Sequence, residues 1–161
     1  MRELLRVTKL VPKSLYAEFG DKPSLFIAAV DLYIEQHKTR YDVLGAEPLG
    51  LDRIRSYYET FRDAPDRRGC LLVNSLGEAE TIPVEAAERV QGFFTWLEAL
   101  YRRNLEAAAA QGALCAPADV HRLAAALVVF DQGLAIASRL PGPNRDLTGD
   151  ALCLLDCISA Q

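Results

Sequence analysis

Residues 12–26 read PKSLYAEFGDKPSLF, and this stretch decides how the rest of the chain is interpreted. Pro12 suits the first turn of a helix and Gly20 suits the position just after a helix end, so a short helix is predicted between them. Asp21 can cap a second helix that carries Pro23 in its first turn. The stretch therefore predicts two helices joined by a tight turn.

Helical periodicity continues through the rest of the 161 residues, because apolar side chains recur at spacings of three and four and strand signals are nearly absent. The second helix is predicted to run to about Arg40, and a loop is predicted over 45–50. Other helices are predicted over 2–8, 51–61, 69–79, 83–111, 117–139 and 146–159. This order predicts an all-α protein, a bundle of helices joined by short loops.

Composition and charge exclude several classes of protein. Half of the residues are hydrophobic and a quarter are charged, which excludes a disordered chain. The net charge of −4 argues against a polyanion partner for the whole surface. Residues 1–22, however, carry more basic than acidic side chains, so a nucleic-acid contact is predicted at the N-terminus only.

Catalytic and metal-binding patterns are missing from the sequence. There is no Ser/His/Asp grouping, no Gly-rich phosphate loop and no HExxH motif. The four cysteines form no CxxC pair, and the two histidines are not spaced with them as ligands. We therefore predict neither an enzyme nor a metal or cofactor. The longest apolar run, 123–130, is about half the ~20 residues that cross a bilayer, so a cytoplasmic protein without a membrane contact is predicted.

The run SLYAEFGDK at 14–22, followed by Leu25 and Phe26, resembles the helix-turn-helix of TetR-family transcriptional regulators. Segment 69–74 and the order of the later helices are also similar to that family. The resemblance implies a TetR-like helical bundle. Its parts would be a partial helix-turn-helix head in residues 1–22, a connecting helix in 23–44, and a ligand-binding and dimerisation domain in 45–161.

DNA contacts follow from the resemblance. It implies that Lys13, Ser14, Tyr16 and Lys22 contact double-stranded operator DNA, with Tyr16 and Lys22 on phosphates. Alternatively, Tyr16 packs against neighbouring apolar side chains and Lys22 is a solvated loop lysine. Family members carry a further helix before this point, so the sequence begins inside the second helix of the pattern and the head is expected to be incomplete. Operator binding is therefore predicted only for a complete head.

Two positions in the head depart from the family pattern. Lys9 stands where a glycine is usual, and a positive φ there would cost about 1 kcal/mol. Val11 stands at the cap of the recognition helix and cannot accept a hydrogen bond, which costs about 1 kcal/mol. A start codon further upstream, a fragment, or a protein that has lost its DNA reader all remain open.

Ligand pockets in helical regulators lie between helices and are mostly apolar with a few polar anchors. The predicted ligand-binding side chains are Tyr57, Tyr58, Phe61, Asn74, Phe93 and Trp96, with Tyr101 a further candidate; the alternative is that the aromatic residues are ordinary core. Because no buried cationic cluster is evident, a small apolar or aromatic effector is predicted. Asp131 interrupts an apolar run, and a pocket, an interface and solvent remain open as its surroundings.

The resemblance also implies that the helices over 117–139 and 146–159 pair with their twins in a homodimer. The predicted interface residues are Leu127, Phe130, Leu134, Leu152 and Leu155. The function predicted from all of this is a ligand-responsive dimeric transcriptional regulator, acting as a repressor. The alternative is a DNA-independent protein, derived from such a regulator, that sequesters a ligand or binds a partner.

Overall fold

A computed structural model describes residues 6–7, 9, 11–61, 69–78, 80–115, 117–140 and 146–160. Helices make up most of these residues, and their only extended pairing is an isolated bridge between Leu114 and Ser159. The predicted all-α class is confirmed. The helix predicted over 2–8 lies largely outside the described residues. Only Arg6 and Val7 of that range are described, and both are helical.

The helices are α1 (Pro12–Phe19), α2 (Lys22–Lys38), α3 (Asp42–Gly45), α4 (Leu51–Glu59), α5 (Leu71–Leu76), α6 (Val84–Ala110), α7 (Val120–Ala137) and α8 (Leu147–Ile158). A 3-10 segment, Thr39–Tyr41, continues α2 into α3. The short helix α3 was not predicted. Helices α5 and α7 are shorter than predicted, and α7 begins after Asp119, whose carboxylate accepts a hydrogen bond from the Arg122 amide at 3.1 Å.

The head has the local geometry that its sequence predicts. Gly20 ends α1 with a φ of 78°, and Asp21 caps α2 by accepting the Ser24 amide at 2.8 Å. Lys9 adopts a φ of 57°, the left-handed conformation expected where the family has glycine. Val11 precedes α1 without a side-chain cap. The turn is therefore formed, with strain at one residue and a missing hydrogen bond at another.

Helix α6 runs through the middle of the protein and packs against α2, α4, α5 and, most extensively, α7. Its buried Asn104 fixes the loop predicted over 45–50. The side-chain amide nitrogen donates to the carbonyl oxygens of Leu44 at 2.7 Å and Leu100 at 2.9 Å, and the amide oxygen accepts the Gly50 N–H at 3.1 Å. These bonds satisfy buried backbone groups, so the loop and α6 are joined at a defined position.

Candidate functional site

One carboxylate in the interior contacts tyrosine hydroxyls from two other helices. Asp131 on α7 accepts a hydrogen bond at Oδ2 from Tyr101 on α6 at 2.6 Å, and the Tyr57 hydroxyl on α4 lies 3.5 Å from the same oxygen. The Tyr58 hydroxyl lies 3.5 Å from that of Tyr101. The three tyrosines are essentially inaccessible to solvent. We call Asp131, Tyr57, Tyr58 and Tyr101 the Asp–Tyr cluster.

The surroundings of the cluster favour the protonated forms of its carboxyl and hydroxyl groups. Burial raises the pKa of Asp131 to about 7, although the tyrosine hydrogen bonds oppose this rise by stabilising the carboxylate. Burial and the nearby carboxylate raise the pKa of Tyr57 and Tyr101 well above 10, so both remain neutral donors. The second carboxylate oxygen, Oδ1, is buried and has no hydrogen-bond partner. The cluster therefore presents one satisfied and one unsatisfied acceptor.

An aromatic wall lies next to the cluster, built around Tyr41 at the end of the 3-10 segment. The Tyr41 ring stacks on Tyr57 with centroids 5.2 Å apart and meets Phe93 and Trp96 edge-on at 5.4 and 5.7 Å. Phe61 meets Tyr57 edge-on at 5.2 Å. These distances are those of favourable aromatic pairs. We call Tyr41, Phe61, Phe93 and Trp96 the aromatic wall.

Two cations from the end of α2 lie over rings of this wall. The Lys38 ammonium is 5.4 Å from the centroid of Trp96, and the Arg40 guanidinium is 5.5 Å from that of Phe61. Both distances fall in the range of cation–π attraction. The helix that carries the head is therefore in contact with the aromatic wall through its last turn and the segment that follows it.

Five of the predicted ligand-binding residues meet at this site: Tyr57, Tyr58, Phe61, Phe93 and Trp96. Asn74, the sixth predicted residue, forms a different contact: its amide oxygen accepts a hydrogen bond from the Arg139 guanidinium at 2.8 Å. Arg139 lies eight residues after Asp131 and two residues beyond the end of α7. Tyr41 was not predicted, since it lies in a polar stretch without apolar periodicity. The Asp131 carboxylate is turned toward tyrosine hydroxyls, which does not favour solvent as its surroundings; the pocket and the interface stay predictions.

The predicted DNA-contacting side chains lie on the outside of the head. Lys13, Ser14 and Tyr16 on α1 and Lys22 at the start of α2 are all exposed, and Tyr16 retains 44% of its accessible surface. Leu15, in contrast, is buried. The interpretation of Tyr16 as an interior packing residue is therefore not favoured by its exposure. The operator contacts themselves stay a prediction.

The predicted dimer residues need a correction. Leu127, Leu134 and Leu155 are buried within the single chain, and Phe130 and Leu152 are partly buried. The inward face of α7 packs against α6, and α8, which carries Leu152 and Leu155, packs against α4. Most of this predicted set is therefore unavailable as an accessible face.

The accessible face of α7 is instead a stripe of apolar and small residues spaced three and four apart: Ala126, Val129, Gly133, Ile136 and Leu140 at its end. Val129 keeps 66% and Ile136 56% of their accessible surface. The apolar run over 123–130 was judged too short to cross a membrane. The whole helix Val120–Ala137, however, is long and apolar enough to do so, by length and composition alone. Its inward face nevertheless belongs to the helical core.

Comparisons with known proteins agree with this architecture. Residues 50–149 match the family model of the tetracyclin repressor-like C-terminal domain. The HTH-type transcriptional repressor ComR of Escherichia coli is 25% identical over 147 residues, covering 86% of this chain and 69% of that protein. The chain therefore belongs to the TetR family of transcriptional regulators, and it is a regulator rather than an enzyme.

Solved structures show the same fold. A TetR-family regulator from Agrobacterium tumefaciens has a TM-score of 0.85 at 20% identity, covering 99% of this chain and 86% of that one. A cysteine mutant of the TetR-family regulator CifR, complexed with 26-bp double-strand operator DNA, has a TM-score of 0.76 at 26% identity. That comparison covers 96% of this chain and 83% of CifR. The predicted family and the TetR-like bundle are thus confirmed.

Proposed function

We propose that this protein is a ligand-responsive, dimeric repressor that works in the cytoplasm. In this proposal, a small aromatic effector binds between α4, α6 and α7, beside the aromatic wall, and the head releases operator DNA as a result. The division into a head over 1–22, a connecting helix over 23–44 and a regulatory domain over 45–161 belongs to the same proposal.

The position of Tyr41 carries this proposal. The residue ends the 3-10 segment that continues α2, and its ring packs on Tyr57, Phe93 and Trp96. A ligand that displaces one of these rings must move Tyr41 or lose its contacts. Since α2 runs from the turn after α1 to the 3-10 segment, such a displacement would reach the head along the 17 residues of this helix, about 25 Å. The ligand can shift the protein between two conformations only if it binds one of them more tightly. Because the Tyr41 ring contacts the proposed effector site and belongs to the segment that continues α2, its position can differ between these conformations.

Operator binding is tested by a gel shift with the DNA upstream of the protein's own gene and of its neighbours. We expect a shift that Tyr16→Ala and Lys22→Ala weaken, because each removes a side chain placed to reach a phosphate. Glu88→Gln, a change at an exposed position near the start of α6, is the control. A shift that survives both head substitutions unchanged would refute the assigned contacts.

The alternative function keeps a specific observation in its favour. The strained φ of Lys9 and the missing cap at Val11 both weaken the recognition helix. If neither this chain nor a version extended at its N-terminus shifts any upstream DNA, the protein is a DNA-independent binder of ligands or partners. The extended version matters because TetR-like heads gain packing area from an additional helix.

Dimerisation is assigned to the stripe on α7. A row of exposed apolar residues on an otherwise charged protein is normally covered, and small side chains such as Ala126 and Gly133 allow two helices to approach closely. A second copy of the same helix satisfies both conditions. We expect sedimentation to show a dimer at micromolar concentration and Ile136→Glu to give a monomer. Val84→Glu, at an exposed apolar position that starts α6, is the matched control and should leave the dimer intact.

A further inference from the structure

The strongest unexplained feature of the interior is Oδ1 of Asp131. The other oxygen of this carboxylate, Oδ2, accepts a short hydrogen bond from Tyr101, whereas Oδ1 is buried without a donor. A buried acceptor without a partner is destabilising by about 1–3 kcal/mol, and more when it is charged. Such groups are rare in native proteins and require an explanation.

The surrounding residues offer this oxygen no countercharge. The titratable groups that face Asp131 are tyrosines: Tyr57 and Tyr58 from α4, Tyr101 from α6, and Tyr41 from the 3-10 segment. Within the described part of the chain, no lysine, arginine or histidine forms an ion pair with Asp131. The hydroxyls of Tyr57 and Tyr101 lie at Oδ2, and that of Tyr58 lies 3.5 Å from the Tyr101 hydroxyl. Since none of the residues that the structure describes supplies a donor to Oδ1, a bound proton or a bound molecule is a candidate partner.

We propose that Oδ1 of Asp131 accepts a hydrogen bond from a cationic nitrogen of the effector, an ammonium or amidinium group on a small aromatic body. This inference rests on the proposed effector site and specifies its chemistry. The carboxylate supplies the charge complement, and the tyrosine rings beside it can pack on an aromatic body, whereas the rings of Trp96 and Phe61 already carry Lys38 and Arg40. The same carboxylate repels an anionic effector.

A proton and such a ligand compete for the same oxygen. Because burial raises the pKa of Asp131 to about 7, the empty site is about half protonated at neutral pH. A cationic nitrogen binds only the carboxylate form, so binding releases the proton. The apparent affinity for a permanent cation should thus be about tenfold weaker at pH 6 than at pH 8. A neutral aromatic ligand lacks this dependence or shows the opposite one.

The test uses matched pairs of probes that differ in charge and little in shape: benzylamine with benzyl alcohol, and benzamidine with benzamide. Binding to the full chain is measured by titration calorimetry and by thermal shift at pH 8. We expect at least one cation to bind and to raise the melting temperature, with its neutral partner much weaker. Asp131→Asn should weaken the cation about 10- to 100-fold, the equivalent of one charge-assisted hydrogen bond. Asp52→Asn, the same change at an exposed position of α4, should have no effect.

Each result decides between the two proposals. Neutral probes that bind as well as cations, or a cation affinity that survives Asp131→Asn, would overturn this inference and leave the aromatic effector site standing. A cation affinity that is equal at pH 6 and pH 8 would overturn it without any variant. If no probe of either kind binds or releases operator DNA, the effector site itself is refuted together with the inference.

Discussion

Replacing Asp131 by asparagine tests the electrostatic description of the interior through stability alone. The unfolded carboxyl has a pKa of 3.8 and the folded one a pKa of about 7. Each tenfold change in proton affinity corresponds to about 1.4 kcal/mol, so at high pH this single group opposes folding by up to about 4 kcal/mol. Asparagine keeps the shape and an acceptor for Tyr101 but carries no charge.

The sign of the effect follows from proton binding. Between pH 3.8 and about 7 the folded state binds more protons at Asp131 than the unfolded state does, so stability falls as the pH rises through this window. The loss is nearly complete at pH 8. From pH 6 to pH 8 the wild-type protein should therefore lose about 1.4 kcal/mol relative to Asp131→Asn. Any constant effect of the amide on packing cancels in this difference.

Urea unfolding at pH 6, 7 and 8 measures this difference. Protein concentration must be equal throughout, because a dimer's stability depends on it. In thermal melts, the same difference amounts to about 3–6 °C for a chain of this size. Asp52→Asn, which removes an equal charge from an exposed site, should follow the wild-type profile. Parallel profiles for the wild type and Asp131→Asn would refute the assignment of a buried, proton-binding carboxylate.

Three further substitutions test local features of the fold; the first two, each with a control substitution, are measured by urea or thermal unfolding, and the third by amide exchange. Asn104→Leu removes the partners of the Gly50 amide and of a buried carbonyl in α3 and should destabilise by about 2–4 kcal/mol; Gln111→Ala, which loses one exposed bond to the same loop, should change stability by less than about 0.5 kcal/mol. Gly69→Ala should destabilise by about 1–3 kcal/mol, because φ is +77° and a Cβ would lie 2.6 Å from an arginine side chain at the end of α7. Gly92→Ala, in open space on α6, should instead stabilise by about 0.5–1 kcal/mol. Lys9→Gly should stabilise the head by up to about 1 kcal/mol, seen as slower amide exchange in α1, and faster exchange would contradict the strain.

Local signals in the sequence were sufficient for the helices and the family. Pro12, Gly20 and Asp21 act on their immediate neighbours, so their consequences can be predicted without knowing the rest of the fold. The same holds for the strained turn at Lys9, because backbone conformation there is set by the turn itself. Periodicity then predicted α4, α6 and α8 to within a few residues.

Tertiary placement was harder to predict. Periodicity locates the apolar side of α7 but does not show which part of that side the chain itself covers. Leu127 and Leu134 were therefore assigned to an interface although the chain buries them. Tyr41 and Asn104 act across the fold, on partners 16 and 60 residues away in sequence. Their importance depends on which helices become neighbours, and no local pattern encodes that.

The shared ring of Tyr41 has an evolutionary consequence. In the proposed mechanism Tyr41 contributes to both the effector site and the connection to the head, so a substitution there is expected to change both. A substitution at Tyr41 would alter the response to the effector and, at the same time, the level of repression in its absence. New effector preferences should therefore arise at positions such as Tyr58, whose ring contacts are Tyr57, Phe61 and Phe130 rather than the segment that continues α2, while Tyr41 stays fixed. Dose response and basal expression would then diversify independently among descendants of this protein.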